Sequence, residues 1–164
     1  MRKVVLLTVY VVAAAILQTT LFARLHLAGA APNLVALVVI AAATELSDTG
    51  AALCGFCAGL FVDLLSETPL GLWAASLAIV GYLVCLGSAR IGDAGGSRAV
   101  AVIGGSLGAE GLFVGLGAIF GQSTLSGAAT IWTIVRVTLY NLPLALVVVP
   151  LVRRVAGVRR DTFL

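Results

Sequence analysis

Charge is scarce in this sequence. Only 10% of its 164 residues are Asp, Glu, Lys or Arg, against about 25% in an ordinary soluble domain. A water-soluble fold of this size must coat its exterior with such groups, so the shortage excludes one. Catalytic signatures are missing as well. The single histidine is His26, and there is no Gly-x-Ser-x-Gly, no His-Glu-x-x-His and no phosphate loop. A non-enzymatic protein with no cofactor and no metal is therefore expected. Of the three cysteines, Cys54 and Cys57 have redox or zinc spacing, but they lie inside an apolar run without a flanking histidine. There, cysteine serves as a small buried hydrophobe. A nucleic-acid surface is excluded by placement, because the net charge of +3 comes from residues at the ends of apolar runs and not from a patch.

What the chain has in abundance is apolar residues, 61% of the total. The runs are continuous, not alternating at period two as in an outer-membrane barrel. The expected fold is thus all-α: a polytopic transmembrane bundle of about six helices forming one domain over 1–164. The spans are read at about 4–23, 32–45, 50–65, 70–87, 99–121 and 131–152. The first resembles a signal peptide, but bulky Leu21 precedes the would-be cut and further spans follow, so it is read as retained. Pro32 opens the second, as proline suits a first helical turn. Spans two and three are short, which suggests a thinned bilayer or shielding by protein.

Six spans put both termini on one side of the membrane. That side holds Arg2, Lys3, Arg90, Arg98, Arg153, Arg154, Arg159 and Arg160, leaving Arg24 opposite and Arg136 inside span six. The positive-inside rule makes it the cytoplasmic side.

Glycine and a few buried polar groups carry the remaining information. Gly55 and Gly59 are four apart in span three. Gly104, Gly108, Gly111 and Gly115 lie on one face of span five, a packing face for another helix of the bundle or of a partner. Glu110 is deep in span five, where a charge costs about 2.5–3.5 kcal/mol and one hydrogen bond returns only about 0.6. Arg136 is its expected partner in an intramembrane charge pair. Asp63 is expected to join Gln18, Thr19, Thr20 and Arg24 in a polar knot between spans one and three. Asn141, beside Tyr140 and just before Pro143, needs a partner in the bundle interior.

The stretch Gly55-Phe56-Cys-Ala-Gly59-Leu-Phe-Val-Asp63-Leu-Leu, with Leu70-Gly71 after it, resembles the signature of the MreD family of rod-shape-determining proteins. Gln18-Thr-Thr20 near the end of span one, Pro32-Asn-Leu34 and Tyr140-Asn141 match in order around it. The glycine-rich region from Ile91 to Ser126 carries no family landmark. The resemblance implies a membrane scaffold of the bacterial cell (inner) membrane that binds MreC. Through MreC it would link MreB filaments to the peptidoglycan glycosyltransferase and transpeptidase of side-wall elongation. Gly55, Phe56, Gly59, Asp63, Gly71, Gln18, Pro32, Tyr140 and Asn141 then become partner-binding or structural positions.

A competing reading is a substrate-binding membrane subunit similar to those of energy-coupling-factor vitamin transporters, whose fold is expected to be like that of MreD. Glu110, Arg136 and Asn141 would line its pocket. Against it, the first span lacks the Ala-x-x-x-Ala docking pattern: Ala13, Ala14 and Ala15 are contiguous.

Overall fold

The structure, a computed structural model, describes residues 2–22, 31–66, 68–91, 95–121 and 128–156. Arg24, His26, Glu67, residues 92–94 and 122–127, and Arg159 and Arg160 lie outside the described residues. The described chain is helical and without strands: α1 (Arg2–Leu17, continued by a π-helical turn, Gln18–Phe22), α2 (Leu34–Ala43), α3 (Asp48–Leu65), α4 (Leu72–Ile91), α5 (Gly95–Ile119) and α6 (Ala128–Ala156). This is a helical membrane bundle. Four of the helices, α3 to α6, are long and apolar enough to cross a bilayer.

The short helix is the centre. All ten residues of α2 are buried, and α1, α3, α4, α5 and α6 all pack on it. Ten residues rise only about 15 Å, half of a roughly 30 Å hydrocarbon layer. The expected second span is therefore a half-length helix, unable to cross by itself and enclosed by its neighbours. Its sequence explains the position: Leu-Val-Ala-Leu-Val-Val-Ile-Ala-Ala-Ala is apolar on every side, as a helix must be when no face meets a polar phase. Pro32 sits one residue ahead of the Asn33 cap and not in the first turn.

Where α2 ends, polarity returns. Ser47 caps α3 by accepting from Gly50 N, and Glu45 forms an ion pair with Arg153 in the last turn of α6 at 2.5 Å. Cys85 of α4 donates its S–H to the Leu46 carbonyl at 3.3 Å. These contacts gather the α2–α3 turn and the ends of α4 and α6 at one end of the bundle.

The tightest helix pair is α3 with α4. A Cβ added at Gly55 would collide with the carbonyl group of Leu77, and one at Gly59 with the backbone of Trp73 and Ala74. Gly81 of α4 faces the Ala51 carbonyl in the same way, 2.6 Å from where a Cβ would stand. Backbones this close gain van der Waals contact along their length, the main attraction available between helices in lipid.

Candidate functional site

Two polar assemblies stand out in an otherwise apolar molecule, and each solves the problem of a helix end away from water. The first four N–H groups of any helix lack intrahelical acceptors, and in lipid each unsatisfied one costs several kcal/mol.

At the start of α4 the acceptor comes from α3. Asp63, almost fully buried, accepts hydrogen bonds from the backbone N–H groups of Gly71 (2.9 Å), Trp73 (3.1 Å) and Ala74 (3.1 Å), and from Thr68 Oγ1 (3.3 Å). One carboxylate thus caps the neighbouring helix, and its charge suits the positive N-terminal pole. The reach requires a tight α3–α4 turn. Gly71 supplies it at φ +98°, a conformation that side-chain-bearing residues rarely adopt, although a Cβ there would meet nothing within 4 Å. The expected motif residues Gly55, Gly59, Asp63 and Gly71 thus form one α3–α4 clasp. Phe56 does not join it; it is exposed on the outer face of α3 with Leu53, Leu60 and Leu64.

The second assembly surrounds the N-terminus of α2, near the midpoints of α5 and α6. Asn33 caps α2, its Oδ1 accepting from Ala36 N at 3.0 Å. Asn33 N donates to Asn141 Oδ1 at 3.0 Å, and Val35 N donates to Gln18 Oε1 at 3.3 Å. The outer ring is completed by Asn33 Nδ2 donating to Glu110 Oε1 at 2.9 Å, and Asn141 Nδ2 donating to Ser106 Oγ at 3.1 Å. Five side chains from α1, α5, α6 and the Pro32-Asn33 segment therefore converge on one helix start. Tyr140 is half-buried beside Asn141. Thr138, one turn before Asn141, has its buried Oγ1 without a partner among the described residues.

Several expectations change here. Glu110 takes the Asn33 amide, at the positive pole of α2, and not Arg136. Arg136 is five positions from Asn141 on α6, about 140° around the helix, and lies exposed while Asn141 faces inward. The knot between Asp63 and the end of α1 does not form. Asp63 serves α4, while Thr19 and Thr20 donate to the carbonyls of their own helix, Ala15 (3.0 Å) and Ile16 (2.6 Å). Gln18 alone of that trio reaches across.

The α5 glycine face also turns out differently. The residues packed inward are Val102, Gly105, Ser106 and Ala109; a Cβ at Gly105 would press on Ile40 at 2.7 Å. Among the described residues, a Cβ added at Gly104, Gly111 or Gly115 would meet no neighbouring element within 4 Å, and one at Gly108 only the Val80 side chain at 3.5 Å. The stripe points out of the bundle.

Asn33, Ser106, Gly81 and Gly105 were missed as site or packing residues. Asn33 had a readable signal, an asparagine directly ahead of an apolar helical run. Ser106 lies four before Glu110 and so shares its helix face.

In comparison with known proteins, the family described as rod shape-determining protein MreD matches residues 1–155. No curated protein and no solved structure matches the chain.

Proposed function

The chain belongs to the MreD family of rod shape-determining membrane proteins, and from that premise we propose that it is a non-enzymatic scaffold of the cell-wall elongation machinery. In this reading it lies in the bacterial inner membrane with both termini in the cytoplasm. It binds MreC and helps couple MreB filaments to peptidoglycan glycosyltransferase and transpeptidase. Its place in rod shape determination follows from the family; the partners are our reading.

The observation that carries the reading is the outward glycine face of α5. A bundle that needed these glycines for its own packing would bury them, as it buries Gly55, Gly59 and Gly105. Left open to the lipid, a small-residue stripe offers a partner helix a close approach that larger side chains would block. The polar residues expected to line a transporter pocket support the same reading: Glu110 and Asn141 spend their hydrogen bonds on Asn33 and Ser106.

The test is co-purification of MreC with the full chain in mild detergent. Gly111→Leu and Gly115→Leu should leave the bundle's melting temperature within about 2 °C while lowering MreC recovery several-fold. Undiminished recovery in both variants, or purification with a tightly held vitamin-sized molecule, overturns the scaffold reading.

A further inference from the structure

At the end of the bundle marked by the Glu45–Arg153 ion pair, α5 and α6 do not close against each other. They leave a groove of about 400 Å³ lined by Arg98, Val102, Leu142, Ala145, Val149 and Arg153, among others. Arg98 stands in the first turn of α5 and Arg153 in the last turn of α6. The two arginines sit at one mouth of the groove, and its walls beyond them are aliphatic. The volume falls within the roughly 300–1,000 Å³ of small-ligand sites.

The arginines are available for an anion. Arg153 meets Glu45 through Nε, one of five guanidinium N–H donors; the contact fixes the group and leaves its four terminal N–H donors without a protein partner among the described residues. Arg98 is exposed and has no protein hydrogen bond among them. The first turn of α5 has no acidic residue, so Arg98 stands at the positive pole of its helix. There a cation is the wrong sign for helix stability. Among the described residues, two arginines against one glutamate leave the mouth net positive.

We propose that this groove binds an anionic phospholipid, with the headgroup phosphate held by Arg98 and Arg153 and an acyl chain lying along Val102, Ala145 and Val149. Charge complementarity selects the occupant. A free phosphate would satisfy the arginines but leave the aliphatic walls empty, and a zwitterionic lipid would bring its own cation to a positive mouth. A basic pocket between membrane helices at the interface is where an anionic headgroup gains most, about fivefold in affinity for each arginine. Bound there, the lipid would complete the α5–α6 contact.

The experiment is native mass spectrometry of the full chain in mild detergent, titrated separately with phosphatidylglycerol, phosphatidylcholine and inorganic phosphate. Wild type should retain phosphatidylglycerol in preference to phosphatidylcholine. Arg98→Gln should weaken that retention about fivefold, with recovery in Arg98→Lys. Ala99→Trp, at an exposed position lining the groove, should block the chain-binding part without touching either arginine. Arg90→Gln, at an exposed arginine outside the groove, should change nothing. Equal retention of the two lipids overturns the proposal. So does phosphatidylglycerol binding unaffected by both Arg98→Gln and Ala99→Trp, or displacement of the lipid by inorganic phosphate at matched concentration.

Discussion

Gly55 and Gly59 on α3 and Gly111 and Gly115 on α5 share a residue type and a four-residue spacing, yet their surroundings are opposite. The first pair touches the backbone of α4 so closely that no side chain fits. A Cβ on either glycine of the second pair would meet nothing within 4 Å among the described residues. The pattern small-x-x-x-small states that a backbone can be approached, and leaves open who approaches it. On α3 the bundle itself has done so. On α5 the inward face, about 140° away around the helix, is built from Val102, Gly105, Ser106 and Ala109, so the stripe remains for an outside helix.

The contrast is broken most forcefully by adding bulk. Gly59→Leu should cost at least about 4 kcal/mol, because backbone cannot yield as a flexible side chain can. Thermal unfolding in detergent should then show a bundle that does not fold stably. The same leucine at Gly111 should stay within about 0.5 kcal/mol, as for other surface changes, and act on partner recovery instead. If Gly111→Leu unfolds the protein as readily as Gly59→Leu, the distinction between the faces is lost.

A second break concerns how the two buried helix starts are satisfied. Asp63→Ala removes the acceptor of three backbone N–H groups at once and should cost about 3 kcal/mol or more, whereas Asp63→Asn keeps one acceptor oxygen and should recover part of it. Asn141→Leu leaves Asn33 N and Ser106 short of a partner, with an expected loss of about 1–3 kcal/mol in the same assay. The smallest effect is expected at Thr138→Val. Replacing a buried hydroxyl that has no partner among the described residues by a methyl group should be neutral or raise stability by up to about 1 kcal/mol. A clear loss there would mean that the hydroxyl has an acceptor.

Much of the molecule was legible beforehand, and particular residues show why. Continuous apolar runs bounded by Arg, Glu and Pro located the helices, because lipid requires both apolar side chains and internally satisfied backbone. The motif from Gly55 to Gly71 was found as a unit, since all its members serve one hairpin and therefore lie close in sequence. The centre around α2 was not legible. Its members Gln18, Asn33, Ser106, Glu110 and Asn141 are up to 123 positions apart, and nothing local announces that they share a helix start. Pairing Glu110 with Arg136 followed the logic of opposite charges, but Glu110 accepts instead from the Asn33 side chain, and nothing in the sequence marks that two residues 77 positions apart will meet.

By itself the sequence determined a helical membrane protein, the approximate stretches that its helices occupy, and the family to which it belongs. These follow from the solvent, which judges each segment by its own composition. Only the tertiary structure decided that α2 stops halfway and is enclosed, that one glycine pair packs inward while another faces out, and that Asp63 caps α4. Those outcomes depend on how each helix is rotated and on which neighbour it meets. In lipid, where apolar faces are nearly equivalent, rotation is set by contacts between distant residues and not by the hydrophobic pattern along any one helix.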